Sequence, residues 1–479
     1  MTAQELVKKF SEYSTQDATM IELAWNFAKE AHGEQKRASG EMYFTHVYSV
    51  ADILADFKMD QPTICAGLLH DVLEDTKVTP EILKKEFGDE IFNLVEGLTK
   101  IETLKFSSRD EAQAENWRRM ILATAKDIRV IIIKLADRIH NMRTLDYLTH
   151  EKQAEIAYET RSLYAPLAQR LGMFQIKSEL EDLSFKFLNR DEYYQLNAKM
   201  QMRYAKREKI LEEFKEELDK VMQAAGISYR ILYRAKNIYS IYRKMQQQNK
   251  PFEEIQDALG IRLITDSIIN CYALLGIVHA HFKPVAGSFT DYIAVPKANL
   301  YQSLHTTVVS QSGELVEIQI RTDEMHRTSE YGIAAHWRYK LGQAGADRHL
   351  DEKLNWLRQW IEWLQDLEGP REFLESFKTD LELEQIFIFT PKGEVKALPL
   401  SATPVDFAYS IHSDIGDNCV GARVNSKMAR LESELKSGDI CEIITRKNSG
   451  PKKDWLSFVK TASARSKIRK YLREHGVEE

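Results

Sequence analysis

Histidines and acids set inside apolar helical stretches are where this sequence could do chemistry. The run Ile64-Cys-Ala-Gly-Leu-Leu-His70-Asp71-Val-Leu-Glu74-Asp75-Thr76 puts an imidazole and three acids into a segment apolar enough for a packed helix. At helical spacing His70 stands over Glu74 and Asp71 over Asp75. A buried charge left unpaired costs several kcal/mol, so the acids call for a cation. Taken alone, the stretch also fits an ordinary helix end with exposed acids and one satisfied core histidine. Two other segments tip the balance. Tyr43-Phe-Thr-His46 follows a basic, glycine-punctuated loop, Gln35-Lys36-Arg37-Ala-Ser39-Gly40-Glu41. The apolar helix Asp127–Ala136 runs into Asp137-Arg-Ile-His-Asn141-Met-Arg-Thr144, where Asp137 and Asn141 share a face and Thr144 follows on the same side.

His46, His70, Asp71 and Asp137 form a candidate nitrogen-and-oxygen ligand set suited to Mn²⁺, Fe²⁺ or Zn²⁺. With coordination positions left open such a site is catalytic, lowering the pKa of bound water and polarising a phosphoryl oxygen. Glu74 and Asp75 are spaced to orient that water or move its proton, and Lys36 and Arg37 supply cations for a phosphorylated substrate.

A second constellation lies farther along. Arg234, Lys236, Ser240 and Lys244 enter and follow one face of a helix at Ile238–Gln248, a pattern that a solvated charge run would also give. Asp257 precedes the strand-like Ile261-Arg262-Leu263, while Glu317, Gln319 and Arg321 alternate with Val316, Ile318 and Ile320. Two strand-borne acids can hold Mg²⁺ and deprotonate a hydroxyl, as phosphoryl-type transfer requires. Lys297, Asn299, Tyr301, Ser303 and His305 recur at period two. An aromatic among phosphate-seeking groups suits a purine base, with stacking of about 1–3 kcal/mol; edge-strand polarity is the plain alternative. No G-x-x-x-x-G-K-[ST] loop is present.

The elements that must position these residues fall into several domains, since 479 residues exceed what one core supports. A net charge of −6 over that length selects no class of partner. Cys65, Cys271, Cys419 and Cys441 are scattered without a C-x-x-C, which argues against a disulfide framework or a cysteine zinc site. With no signal-peptide core at the start and no apolar run near the ~20 residues that span a bilayer, a cytoplasmic protein without membrane contact is expected. Residues 1–195 read as helix, 196–345 as an α/β domain entered by a charged helix at 196–222, and 346–381 as a helical linker. In that linker Trp356, Trp360 and Trp363 form a core or docking stripe. Residues 382–446 read as a small domain of strands around a helix at Ala408–Gly416 stopped by its glycine, and 447–479 as the start of a further helical region.

The histidine–acid quartet, with its L-L-H-D-V-L-E-D-T and K-L-A-D-R-I-H-N-M-R-T-L segments, resembles the HD-type hydrolase domain of the Rel/SpoT family. Those stringent-response enzymes make and destroy guanosine tetra- and pentaphosphate, (p)ppGpp. The resemblance implies Mn²⁺ at His46, His70, Asp71 and Asp137, with Glu74 and Asp75 serving the attacking water. It implies nucleotide contacts from Arg37, Ser39, Asn141 and Thr144. The segments R-A-K-N-I-Y-S-I-Y-R-K-M, D-Y-I-A-V-P-K-A-N-L-Y-Q-S-L-H-T-T-V, V-E-I-Q-I-R-T and E-Y-G-I-A-A-H-W resemble the same family's synthetase domain. The implied reaction moves pyrophosphate from ATP to the 3′-hydroxyl of GDP or GTP. By the same resemblance Asp257 binds Mg²⁺, Glu317 is the base, Tyr301 stacks on guanine, and Arg234 and Arg262 sandwich adenine. Lys236, Ser240, Lys244, Lys297, Asn299 and His305 would lie on phosphates and sugars. From about 382 the chain resembles a TGS domain, a small β-grasp fold, which implies His412 at the CCA end of uncharged tRNA on the ribosome.

The expected architecture is therefore multidomain: an all-α HD-type hydrolase domain, an α/β nucleotidyltransferase-like synthetase domain and a β-grasp domain. The expected activity is bifunctional, making and hydrolysing (p)ppGpp, with the connector of about 150–225 coupling the two sites. The far C-terminal regulatory domains of the family are not in this sequence, so a truncated or naturally short member is expected. Met42 and Val47 stand where the family has proline, and Ala38 where it has a second basic residue. Ser288 and Thr290 are neither basic, as in bifunctional members, nor acidic, as in synthetase-only ones, which leaves the choice of GDP or GTP open. They motivate one alternative, a hydrolase whose synthetase half only senses nucleotides. The TGS region motivates another, a tRNA- or ribosome-binding regulator.

Overall fold

The computed structural model describes residues 2–99, 109–234, 237–255, 259–296, 301–337, 385–447 and 449–476. They belong to two compact units: Met1–Thr99 with Ile128–Leu350, and Lys100–Asp127 with Asp351–Glu479.

In the first unit the helices α1 (Ala3–Ser11), α2 (Thr19–His32), α3 (Tyr43–Asp56), α4 (Gln61–Leu69), the single turn α5 (Val72–Asp75) and α6 (Pro80–Leu98) follow in order. The apolar run of the sequence becomes α4, buried on all sides from Thr63 to Leu69. Asp60 caps its start, accepting from the Thr63 amide at 3.0 Å. Helices α2, α3 and α6 pack around it. The chain does not continue as one helix through the acids. α4 stops at Leu69, His70 caps it, and Asp71 precedes α5, so the even stacking of His70 over Glu74 and Asp71 over Asp75 gives way to a bend. At that bend the His70 Nδ1–H donates to the Gly67 carbonyl at 2.9 Å.

Helix α7 (Arg109–Lys126) falls in the second unit, and α8 (Arg129–Arg143) returns to the first. α8 buries Val130–Ile133 and Leu135–Asp137 and extends through Asn141, so the acid and the amide stand on one helix. Beyond it come α9 (His150–Glu159), a π-helical turn at Thr160–Tyr164, α10 (Ala165–Arg170) and α11 (Phe174–Leu188). The charged connector is longer than its sequence pattern indicates: α12 runs from Arg190 to Ala225. Its first half packs Leu196 and Met200 with Phe185 and Ile241; its second half lays Phe214, Leu218 and Met222 under a sheet.

That sheet contains β1 (Tyr229–Arg234), β2 (Leu259–Thr265), β3 (Lys283–Pro284), β4 (Thr290–Asp291), β5 (Leu304–Val309) and β6 (Leu315–Thr322), in the order β1-β2-β6-β5-β3 with β4 also paired to β5. β2 and β6 are parallel, and the other pairs antiparallel. Between the strands lie α13 (Ile238–Gln248) and α14 (Ile268–His281), and after β6 come α15 (Asp323–Tyr331) and α16 (Ile333–Trp337). Val316, Ile318 and Ile320 enter the core with α14, which leaves Glu317, Gln319 and Arg321 on the opposite face of β6.

The second unit carries a hairpin of β7 (Gln385–Phe389) and β8 (Val395–Pro399), helices α17 (Pro404–Ile411) and α18 (Ser413–Asp417), a sheet of β9 (Cys419–Val424), β10 (Lys427–Ala429) and β11 (Cys441–Thr445), and α19 (Ala462–Glu474). Gly416 does not stop the helix around Ala408. The break comes earlier, at extended His412, and Gly416 lies inside the following turn. α19 closes the same core, packing Ala464, Ile468 and Leu472 with Tyr409 and Trp455. Buried Asp406 joins these parts, accepting from Thr403 in α17's capping box and from the Lys460 and Thr461 amides before α19. Trp356, Trp360 and Trp363 lie outside the described residues.

Candidate active sites

The first site forms where α3, the α4–α5 bend and α8 meet. His46 Nε2 is 3.6 Å from Asp71 Oδ2 and 3.4 Å from Asp137 Oδ1; His70 Nε2 is 3.1 Å and 3.9 Å from the same atoms. His46, His70 and Asp137 each offer a ligand atom within 4.8 Å of the others, and all three are buried. His70 Nε2, though close to both acids, makes no hydrogen bond. Because Nδ1–H is committed to Gly67, Nε2 is the atom that faces the acids. Burial alone would lower the His70 pKa, but Asp71 and Asp137 outweigh it and carry it up to about 9. A cation between the acids would take that proton's place. Two imidazole nitrogens and the Asp137 carboxylate, with the half-buried Asp71 carboxylate within reach of both imidazoles, fit a divalent metal of intermediate softness.

The surrounding groups hold these four side chains. Tyr43 donates to Asp71 Oδ2 at 2.7 Å, and its own pKa is raised by burial, Asp71 and Asp75. Lys134 donates to Asp137 Oδ2 at 2.7 Å and Asn141 to Asp137 Oδ1 at 2.5 Å. Burial works against the Asp137 charge, but Lys134 and the two imidazoles keep its pKa well below the usual range. His140 Nδ1 stands 2.8 Å from His46 Nδ1. Neither Tyr43, Lys134 nor His140 stands out in the sequence as a functional residue. The only signal is that Lys134 and His140 lie three positions on either side of Asp137, within one helical turn.

Arg37 sits in a hairpin closed by its amide bond to Glu41 O at 2.9 Å and by Gly40 at φ +83°. Its guanidinium donates to Asn141 Oδ1 at 2.6 Å and to Thr144 Oγ1 at 3.1 Å. Three of the four residues expected on the nucleotide thus touch one another beside the metal pocket. Ser39 remains in the turn, accepting from the Glu41 amide at 3.3 Å. Glu74 is half-buried and Asp75 exposed on α5.

The second site lies on the polar face of β6 and β5. Gln319 Nε2 donates to Glu317 Oε1 at 2.8 Å, and His305 Nδ1 is 3.9 Å from that oxygen. Tyr301 is buried; its hydroxyl is 2.6 Å from His305 Nε2, and Phe174 of α11 meets its ring edge-on at a centroid distance of 5.6 Å. Arg262 donates to Glu330 Oε1 at 2.7 Å. On α13, Ser240 and Lys244 share a face, with Ser240 Oγ donating to the Asn237 carbonyl at 2.8 Å. Ser303 does not join the exposed face of the segment. β5 begins only at Leu304, and the Ser303 hydroxyl turns inward to the Leu304 and Ile320 carbonyls. Lys236, Asp257, Lys297 and Asn299 lie outside the described residues, as does the side chain of Arg234 at the end of β1. Ser288 is tied into its turn by bonds to Val285 O and the Thr307 amide, while Thr290 pairs with His305 across β4 and β5. His412 is exposed and caps α18, accepting from the Asp414 amide at 3.2 Å.

Residues 24–174 match the HD domain family, 233–344 the region found in RelA / SpoT proteins, and 386–445 the TGS domain. The guanosine-3′,5′-bis(diphosphate) 3′-pyrophosphohydrolase of Aquifex aeolicus is 46% identical over 479 residues, covering 99% of this chain and 67% of the relative. The chain belongs to the Rel/Spo family. Other Rel/Spo relatives include a GTP pyrophosphokinase of Myxococcus xanthus, 49% identical over 96% of this chain and 61% of its own length. A probable guanosine-3′,5′-bis(diphosphate) 3′-pyrophosphohydrolase of Synechocystis is 48% identical over 98% of this chain and 62% of its own. The chain thus spans about three fifths of the length of these last two relatives. Its fold class is that of an HD domain, a RelA/SpoT synthetase domain and a TGS domain in series. No helix among the described residues is long and apolar enough to cross a membrane.

Proposed function

We propose that this chain makes and degrades (p)ppGpp at two separate sites. The observation that carries the hydrolytic half is the buried convergence of His46, His70 and Asp137, with Asp71 against both imidazoles, beside the Arg37–Asn141–Thr144 cluster. Those four residues would hold Mn²⁺. Bound there, the ion supplies Lewis acidity toward a phosphoryl oxygen and lowers the pKa of water. Arg37, Asn141, Thr144 and Ser39 bind and orient the nucleotide, and Glu74 and Asp75 on α5 accept the proton of the attacking water. The bond between the 3′ oxygen and its phosphorus breaks, pyrophosphate leaves, and the 3′ oxygen takes up a proton to give GDP or GTP.

In the synthetic half, Asp257 would hold Mg²⁺. Tyr301 stacks on guanine, Arg234 and Arg262 flank adenine, and Lys236, Ser240, Lys244, Lys297, Asn299 and His305 bind phosphates and sugars. Glu317 accepts the proton of the 3′-hydroxyl as its oxygen attacks the β-phosphorus of ATP and AMP departs. Such chemistry draws on cytoplasmic nucleotide pools. Exposed His412 on the TGS fold is the contact we assign to uncharged tRNA on the ribosome.

Opposed activities in one chain need coupling, and the connector touches the synthetase fold directly. Asp182 of α11 accepts from the Ile238 and Tyr239 amides, and Phe174 packs on Tyr301. We assign to α11 the task of favouring one site at a time. The test follows radiolabel from the β- and γ-phosphates of ATP into ppGpp with Mg²⁺ and GDP. Labelled ppGpp is expected; hydrolysis without any transfer would favour a synthetase half that only senses nucleotides.

A further inference from the structure

Gln319 and Arg321 are each 1% exposed, although both project from the polar face of β6 rather than into the apolar core. Burying a guanidinium costs several kcal/mol unless it is fully engaged, so its partners are informative. One terminal nitrogen of Arg321 donates to Ser329 Oγ at 2.7 Å. The other donates to Gln319 Oε1 at 2.7 Å and to the Tyr301 hydroxyl, and the guanidinium carbon lies 4.7 Å from the centroid of the Tyr301 ring.

Arginine has donors and no acceptor, and this fixes the direction of its own bonds. The Tyr301 oxygen accepts from Arg321 and lies 2.6 Å from His305 Nε2. The other ring nitrogen of His305, Nδ1, faces Glu317 Oε1 at 3.9 Å. On the other branch Gln319 Oε1 accepts from Arg321, and from Arg262 Nε at 3.4 Å, which turns the Gln319 amide N–H toward Glu317 at 2.8 Å. Two routes leave Arg321 toward one carboxylate: through Gln319, which donates to it at 2.8 Å, and through Tyr301 to His305, whose Nδ1 stands 3.9 Å from the same oxygen.

We infer that Gln319 and Arg321 are positioning residues for pyrophosphate transfer: together they orient the Tyr301 ring for guanine and fix the Glu317 carboxylate in place. The inference rests on the synthetic reaction proposed above. A side-chain amide bonded to one Glu317 oxygen sets the plane in which that carboxylate meets the 3′-hydroxyl.

The near-isosteric Gln319→Glu replaces the donor facing Glu317 with a second acid. For transfer, kcat is expected to fall at least tenfold, with KM for ATP and (p)ppGpp hydrolysis at the other site unchanged. An unchanged kcat, or a loss carried by a higher KM for ATP, would overturn the inference. A readout that needs no turnover covers Arg321. Arg321→Met, checked for folding by retained hydrolysis, should weaken binding of a fluorescent N-methylanthraniloyl GDP at least tenfold, and Arg321→Lys less so. Equal affinity in wild type and Arg321→Met overturns the inference. If wild type transfers no pyrophosphate but binds the probe, the synthetic reaction is lost while the Arg321 arm still decides the role of the brace. If wild type does not bind the probe, both fail.

Discussion

Nδ1 of His140 lies 2.8 Å from Nδ1 of His46, so that one imidazole supports another at the edge of the metal pocket. For His46 to present an unprotonated Nε2 to the pocket it must donate from Nδ1, and His140 must accept. Burial, His46 and Arg37 push the His140 pKa down to about 3, which keeps it neutral and able to do so. Partners of this kind orient a ligand and raise its basicity. His140→Ala should therefore weaken Mn²⁺ binding by about ten- to a hundredfold and reduce hydrolysis in proportion at limiting Mn²⁺. Pyrophosphate transfer should be unaffected. Calorimetric titration with Mn²⁺ checks this, and unchanged affinity would remove His140 from the site.

Gly332 is the point where the synthetase fold presses on the connector. Its φ is +57°, and an added Cβ would lie 2.3 Å from the Leu171 carbonyl oxygen and 2.7 Å from the Met173 amide nitrogen. The Ile333 amide also donates to that same Leu171 oxygen at 3.0 Å. Gly332→Ala should cost more than about 1 kcal/mol and lower the thermal midpoint by at least ~2 °C. It should also blunt the response of hydrolysis to a non-hydrolysable ATP analogue. A variant that melts with wild type and responds like it would show that this junction transmits nothing.

Asp182 gives the same junction a pH dependence. Burial raises its carboxyl to about 6 even though it accepts from the Tyr239 amide at 2.8 Å and the Ile238 amide at 3.2 Å. An unfolded aspartate titrates near ~3.9, so between about pH 4 and 6 the folded chain keeps a proton that the unfolded chain has released. Stability from this group is therefore greatest at the acid end and falls as pH rises through 6. Between pH 5 and 7 the thermal midpoint of wild type should drop relative to Asp182→Asn. Parallel midpoints across that window would contradict the assignment.

Much of both sites can be read in the sequence, for physical reasons that particular residues show. His70 and Asp137 are conspicuous because one directly follows the apolar α4 and the other follows the largely apolar Val130–Ala136 of α8, where a charge demands a partner. Glu317, Gln319 and Arg321 are legible from strand period alone, because the alternate residues Val316, Ile318 and Ile320 must be core. What escapes is whatever depends on contacts between distant segments. Nothing local tells His140 that it faces His46, or Arg321 that it lies under Tyr301. The bend at His70 is hidden for a related reason: the residues on both sides remain good helix formers, and the break shows only in the Asp71 backbone at φ −99°, ψ −2°. Ser303 looks like part of an extended binding face until the start of β5 at Leu304 turns it inward.

Both reactions assayed on one purified protein, as wild type, Asp71→Asn and Glu317→Gln, test most directly whether the chain carries two independent sites. Wild type should release pyrophosphate from ppGpp with Mn²⁺, stop when chelated, and transfer pyrophosphate to GDP with Mg²⁺. Asp71→Asn should lose hydrolysis at least a hundredfold and keep transfer; Glu317→Gln should do the reverse. Hydrolysis that survives in Asp71→Asn, or either substitution abolishing both reactions in a protein that still melts cooperatively, would contradict the account.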